Sequence, residues 1–137
     1  QRVFLLMLTH DWPTQLAQFL AEREEVPFAW GANDCVTFAA AWVQLATGRE
    51  VFVAEHDSAL SAAREIERRG GLLQAVTDVL GEPIDGRTAQ RGDVALIDMD
   101  GRDALGVVQG IYVAGPGESA LMLVGRETIK AAWRLNG

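Results

Sequence analysis

Cysteine and histidine are scarce in this 137-residue chain, which contains one cysteine and two histidines. A single cysteine excludes an internal disulfide and any zinc site built on paired cysteines. The cysteine is Cys35, and the histidines are His10 and His56, so at most two imidazoles can serve as ligands or bases. We therefore expect the protein to carry no metal and no other cofactor.

Long apolar runs and an excess of basic residues are missing as well. No apolar run approaches the roughly 20 residues that a membrane-spanning helix needs. The chain has 12 Lys and Arg against 19 Asp and Glu, which gives a formal net charge of -7. Because no surplus of positive charge exists to neutralise phosphates, the composition argues against nucleic acid or an anionic membrane as a partner.

The length and composition are typical of one globular domain, with 49% hydrophobic and 23% charged residues. We predict a single domain over residues 11–137, preceded by an N-terminal arm over residues 1–10. The arm contains the apolar run Val3–Leu8. This run favours a strand or arm that packs on the domain or on a neighbouring chain. A signal-peptide remnant is disfavoured, because no small-residue cleavage site follows the run.

The first half of the chain shows helical spacing of apolar residues. The segment Asp11–Thr14 is typical of a helix start, with an aspartate cap and a proline in the first turn. A second helix is predicted to begin near Asn33-Asp34 and to end at Gly48; it is apolar almost all round and should be the buried central element. The segments Ser58–Arg69 and Leu72–Leu80 predict two further helices.

The pattern changes after Asp93. Three apolar runs follow. Turn residues close the short run Val94–Ile97 and the longer run Leu105–Val113, and the third run is Ala120–Val124. Their β-branched residues and the turns between them predict an antiparallel β-meander. Helices followed by a meander indicate an α+β fold.

Cys35 occupies the predicted first turn of the most buried helix. A helix N-terminus presents free N–H groups and a partial positive charge of about half a unit. That environment lowers the pKa of a cysteine, and the same N–H groups can stabilise an oxyanion. A cysteine is also commonly a small buried hydrophobic residue. The position alone therefore leaves a nucleophile and a packing residue as alternatives.

Three segments together resemble one known family. Asp34-Cys35, which opens an apolar helix after Trp30-Gly31, resembles the nucleophile motif of the NlpC-type, papain-like cell-wall cysteine peptidases. The segment Arg91–Ile97 resembles the Gly-Asp-apolar strand of that family, and Ala104–Tyr112 resembles its next strand. The resemblance implies a papain-like α+β fold, with helices packed on an antiparallel meander and a cysteine nucleophile that attacks peptidoglycan.

A closer resemblance is to a group of small uncharacterised proteins encoded in phage and prophage tail modules. It is carried by four segments: Asp11–Pro13, Pro27–Gly31, Asn33–Cys35 and Ala131–Arg134. This resemblance implies other phage tail-tip proteins as partners. It also implies a location in the virion tail, or in the host cytoplasm during assembly.

The chain departs from the peptidase pattern at the residue that would act as the general base. The resemblance places the catalytic histidine at the start of the second strand, where this chain has Ala104. The polar residue that orients the imidazole would fall within Ala120–Val124, which offers nothing suitable. Loss of a general base typically costs roughly 10²- to 10⁴-fold in rate. His56 or His10 could replace it only if the fold brought one of them to Cys35.

The residues expected around Cys35 form a groove. The candidates are Trp30, Asp34, Asp103 and Ala104. The carboxylate of Asp103 would oppose a thiolate rather than activate it. Asp103 also belongs to an acidic cluster at a hairpin tip, for which a solvated turn is favoured over a cation site.

Two functions follow from these observations. The favoured one is a structural or assembly component of a phage tail tip, in which a peptidase-like fold has lost its catalytic dyad and become a binding module. The alternative is an active cysteine peptidase or amidase that acts on peptidoglycan during phage entry, with Cys35 as nucleophile. A small unrelated binding domain is a third interpretation, which leaves the series of motifs unexplained.

Overall fold

The structure, a computed structural model, describes residues 8–51 and 53–135. The α-helices within these ranges are α1 (Trp12–Arg23), α2 (Cys35–Thr47), α3 (Ala59–Arg68) and α4 (Leu72–Leu80). The strands are β1 (Val94–Met99), β2 (Arg102–Gln109), β3 (Tyr112–Pro116), β4 (Leu121–Gly125) and β5 (Ile129–Trp133). The predicted α+β class is confirmed. The predicted arm lies largely outside the described residues.

The helix boundaries follow from local chemistry. Asp34 caps α2 and forms a capping box with Thr37, and Gly48 ends the same helix in a left-handed conformation with φ 72°. Asp11 precedes α1, but its side chain makes no capping hydrogen bond. Among the helices of the described residues, none is long and apolar enough to cross a membrane.

The sheet is antiparallel throughout, with the strand order β4-β3-β2-β1-β5. The predicted single strand over Leu105–Val113 is wrong, because the chain reverses at Gly110-Ile111 and forms a hairpin. Gly110 adopts φ 71°, which a glycine tolerates at a tight turn. Strand β5 was not predicted at all. Its short segment Ile129–Trp133 mixes a lysine and two alanines, and it is ordered by pairing with β1.

The sheet separates two hydrophobic clusters. The helices cover one face, where Leu105 and Val107 pack with the buried side of α2. The opposite face carries a second cluster that includes Ala95 and Val108. Since successive residues of a strand point to opposite faces, Ala104 falls in the second cluster and Leu105 in the first.

Trp42 holds α2 at the centre of the larger cluster. Its side chain is fully buried, and its Nε1 donates a hydrogen bond to the carbonyl oxygen of Gly92 at 2.8 Å. The bond joins the helix to the turn that leads into β1. It therefore ties the middle of α2 to the end of the sheet at which β1 begins.

Candidate functional site

Cys35 is the first residue of α2 and is partly buried against the larger cluster. Burial raises the pKa of its thiol, and the nearby charge of Asp34 acts in the same direction. Hydrogen bonds from the backbone of Leu105, Cys35 and Val36 lower the pKa but do not compensate. The N–H groups of the helix start act in the expected direction, but the expectation of a lowered pKa is wrong, because desolvation of the thiolate is the larger effect. The Cys35 side chain is a protonated thiol at neutral pH.

Neither histidine acts on the thiol. His10 is exposed just before α1. His56 directs both of its ring nitrogens at other residues, Ala54 and Asp34. Within the described part of the chain, no imidazole forms a hydrogen bond with the Cys35 sulfur.

Asp34 is the most heavily bonded side chain near Cys35. Its Oδ1 accepts hydrogen bonds from the backbone N–H groups of Val36, at 3.0 Å, and Thr37, at 2.9 Å. Its Oδ2 accepts a hydrogen bond from the backbone N–H of Gly31 at 2.8 Å. In return, the backbone N–H of Asp34 donates to the hydroxyl of Thr37. The carboxylate thus organises both the helix start and the turn before it.

His56 forms a buried ion pair with Asp34. Nε2 of His56 lies 2.5 Å from Oδ2 of Asp34, and the two side chains are 5% and 2% exposed, respectively. Nδ1 of His56 lies 2.9 Å from the carbonyl oxygen of Ala54. Both partners are acceptors, so both ring nitrogens act as N–H donors when both bonds are made, and only the imidazolium form has two N–H groups.

The charges of this pair are held by their surroundings. The Ala54 carbonyl, followed by Asp34, raises the pKa of His56 despite the opposing effect of burial. Burial alone would raise the pKa of Asp34, but hydrogen bonds from the backbone of Thr37 and Gly31 and from His56 together lower it. Both shifts favour the charged forms, a carboxylate beside an imidazolium.

Gly31 allows the His56 segment to pass close to the turn before α2. Gly31 has φ 80°, and a Cβ atom at this position would collide with the carbonyl oxygen of His56. Only a glycine fits both the backbone conformation and the close approach. The glycine of the Trp30-Gly31 step is therefore needed to admit residues 53–57.

Two hollows meet at His56. The first is an apolar cavity of about 110 Å³ between α2 and the α3–α4 pair. It is lined by apolar side chains that include Val36, Val43, Ile66, Leu72, Val76 and Leu105. Residues Val53, Ala54 and His56 form another part of its wall. The second hollow is polar, and its lining includes Gly31, Thr37, Glu55, His56, Asp57 and Ser61.

The predicted groove residues are spread over different places. Asp34 adjoins Cys35. Trp30 is 42% exposed and packs edge-to-face on Phe28, with the ring centroids 4.7 Å apart. Asp103 forms an ion pair with Lys130 at 2.7 Å.

Ala104 also lies away from the thiol. It is on the sheet face opposite α2, so its side chain does not face Cys35. The structure brings the backbone of Leu105 to the thiol instead.

Sequence reasoning missed His56 as a partner of Asp34. The two residues are 22 positions apart, and no periodic pattern joins them. The one available signal was Gly31, whose position in a tight approach indicates that another backbone segment comes close.

The acidic hairpin tip is a turn, as the sequence indicated. Oδ1 of Asp98 accepts a hydrogen bond from the backbone N–H of Gly101 at 2.8 Å, which closes the β1–β2 connection. A search of residues 8–51 and 53–135 finds no group of three or more His, Cys, Asp or Glu side chains that could hold a metal ion.

Comparison with known proteins gives one family. A family model described as a domain of unknown function, DUF6950, matches residues 7–135, which is nearly the whole chain. No curated protein matches the chain significantly.

Proposed function

The chain belongs to the DUF6950 family, and we propose that it is a non-catalytic structural or assembly component of a phage tail tip, built on a papain-like, NlpC-type fold. One observation carries the proposal: Cys35, which the resemblance places at the nucleophile position, is a protonated thiol, while both ring nitrogens of His56 bond Asp34 and Ala54. Cys35 therefore stands where the peptidases that the chain resembles have their nucleophile, but its protonated and partly buried thiol behaves as a packing residue.

The arrangement disfavours thiol catalysis at two steps. The thiolate is the attacking species, and burial raises the pKa of Cys35, which reduces its population. A general base would have to remove the proton, and the imidazolium of His56 has no free lone pair for it. Absence of such a base typically costs roughly 10²- to 10⁴-fold in rate.

The fold assignment within the proposal rests on the order of the elements. A helix that begins at Cys35 is followed by an antiparallel sheet, and the backbone of β2 reaches the cysteine sulfur through Leu105. The tail-tip assignment rests on the resemblance of Asp11–Pro13, Pro27–Gly31, Asn33–Cys35 and Ala131–Arg134 to tail-module proteins. The partners are then other tail-tip chains, and the location is the virion tail or the host cytoplasm during assembly.

A second candidate is an active peptidase or amidase that acts on peptidoglycan. It is favoured by the backbone N–H groups of Leu105, Cys35 and Val36, which lower the pKa of the thiol and lie where they could stabilise an oxyanion on an attacked carbonyl. This function needs a base that the described residues do not bring to Cys35. A rearrangement or a neighbouring chain would have to supply it.

Alkylation of the single cysteine tests the choice directly. We expect iodoacetamide to label Cys35 in the folded protein more slowly than it labels glutathione at the same pH, because the thiol is protonated and partly buried. The same protein in urea is the control and should react at the rate of a free thiol. Labelling of the folded protein faster than glutathione would overturn the non-catalytic assignment.

Digestion of peptidoglycan separates the two candidates further. Purified wild-type protein and Cys35→Ser should both release no soluble fragments from isolated cell walls. Release by the wild type that is lost in Cys35→Ser would establish the enzyme.

Mass spectrometry of purified tails and tail-assembly intermediates from the encoding phage or prophage tests the partner assignment. The chain should be present in fixed ratio to other tail proteins, and its absence from both would contradict the assignment.

A further inference from the structure

One buried side chain in residues 53–57, that of His56, makes the hydrogen bond that joins this segment to the start of α2. His56 donates to Asp34, the cap of α2, and to Ala54 within its own segment. The same segment contributes Val53, Ala54 and His56 to the wall of the apolar cavity. The two hydrogen bonds of the His56 imidazole therefore help to keep these three residues in the cavity wall.

The two bonds require two protons on the ring. A neutral imidazole has one N–H and one lone pair, so it can donate to the Ala54 carbonyl or to the Asp34 carboxylate, but not to both. The nitrogen that lost its proton would then face an acceptor at 2.5 or 2.9 Å. An acceptor left without its donor inside the protein is unfavourable, and moving the segment outward lets water replace the lost bond.

We propose that the imidazolium of His56 is a pH-sensitive clasp, which holds residues 53–57 against the start of α2 and releases them as the ring loses its second proton. Release removes residues 53–57 from the wall of the apolar cavity between α2 and the α3–α4 pair, which is already partly open to the surface, and enlarges it for apolar ligands. The closed state is the low-pH state. The clasp is a conformational device of the fold and does not depend on the tail-tip assignment.

Of the ionisable groups around His56, the imidazole ring is the one whose ordinary pKa lies near neutral pH. Asp34, from the start of α2, stays a carboxylate because its pKa is lowered. Asp57 and Glu55 lie in the same segment. At the C-terminal end of α3, Glu65 and the capping residue Arg69 line the cavity and form an ion pair with each other at 2.9 Å.

The remaining walls of the cavity carry no charge. Helix α4 contributes Leu72, Ala75, Val76, Val79 and Leu80, and the sheet contributes Val94 and Leu105. Neither element therefore supplies a group that would titrate in place of His56.

The test follows His56 and the cavity in the same samples. NMR gives the titration midpoint of the His56 ring between pH 5 and 9.5, and Nile red, a neutral apolar dye, reports access to the cavity. We expect Nile red fluorescence to rise several-fold with increasing pH. The midpoint of this rise should equal the midpoint of the His56 titration. Near-UV circular dichroism of the tryptophans should stay constant, because only the clasp opens.

Two histidine variants give a matched comparison. His10→Gln removes the exposed histidine and should keep the full pH response. His56→Gln has a single donor group with no second proton to lose, so it should bind Nile red at every pH. A pH response that persists in His56→Gln, or that disappears in His10→Gln, would overturn the proposal.

A wild-type measurement covers the case in which His56→Gln does not fold. The methyl resonances of Val53 and Ala54 should shift with the midpoint of the His56 titration. If they stay constant while the His56 ring titrates, or if the tryptophan signal collapses at the same midpoint, the local clasp is refuted.

Discussion

The carboxylate of Asp34 and the imidazole of His56 form an ion pair with Oδ2 and Nε2 2.5 Å apart, and both side chains are almost fully buried. The pair joins the start of α2 to a segment 22 residues further along the chain. It lies beside the position that the sequence motif assigns to a nucleophile. Its role in the structure is to hold these two segments together.

Asp34→Asn should destabilise the protein by about 3–5 kcal/mol, because it leaves the buried imidazolium without a counter-charge. The amide would also turn an N–H₂ group toward donors that now bond the carboxylate. Urea unfolding measures the change. Asp11→Asn is the matched control, since Asp11 also precedes a helix but caps nothing with its exposed side chain. It should stay within about 0.5 kcal/mol of wild type. Equal effects of the two variants would contradict the prediction.

The free energy of unfolding should depend on pH in two directions. The pKa of Asp34 is lowered in the folded protein, so its contribution is present above its ordinary pKa and is lost as the pH falls through the folded value. The pKa of His56 is raised, so its contribution is present below about 6.5 and is lost as the pH rises through the folded value. The pair therefore stabilises most between about pH 4 and 6.5.

The alkaline part of that dependence should be smaller in one variant. Urea titrations from pH 6 to 9 should show a decline in stability for wild type and for His10→Gln. The decline should be smaller in His56→Gln, which has no imidazole to deprotonate. A decline of the same size in all three proteins would assign it to other groups.

Gly31→Ala should cost more stability than Gly48→Ala, although both glycines have positive φ. A non-glycine residue in the left-handed region costs roughly 1–3 kcal/mol, and this cost applies to both. Only at position 31 does the added Cβ collide with a backbone atom, the carbonyl oxygen of His56, while nothing lies within 4 Å at position 48. Thermal unfolding of the two variants measures the difference, and a larger loss in Gly48→Ala would refute it.

Trp42→Phe should destabilise the domain by about 2–4 kcal/mol. It leaves the Gly92 carbonyl without the Nε1 donor and opens space at a fully buried site. Trp30→Phe is the control, since Trp30 is 42% exposed, and it should change stability by less than about 1 kcal/mol. Chemical denaturation compares the two variants. A similar loss in both would mean that burial of Trp42 does not decide the effect.

The helical half of the fold was readable from the sequence because its signals are local. The cap at Asp34, the stop at Gly48 and the apolar spacing between them are all set within a few residues, and α2 has the predicted position. The sheet was read less well. A glycine inside an apolar run indicates a bulge or a turn equally, so the hairpin at Gly110 was taken as part of a strand.

The site was only half readable for the same reason. The place of Cys35 at the start of α2 is local, and it was predicted correctly. The sign of its pKa shift was not, because burial depends on how β2 and the core pack around the thiol. The partnership of Asp34 with His56 depends on where a loop without periodicity settles, and no local rule fixes that.

The bonding of Asp34 has an evolutionary consequence. Its carboxylate accepts hydrogen bonds from Gly31, Val36 and Thr37 and carries the counter-charge of His56. Folding alone therefore holds this aspartate in place, whatever becomes of the residue after it. Substitution of Cys35 by serine or alanine would leave all of these bonds of Asp34 in place. In this architecture, the residue before the cysteine is under the stronger structural constraint.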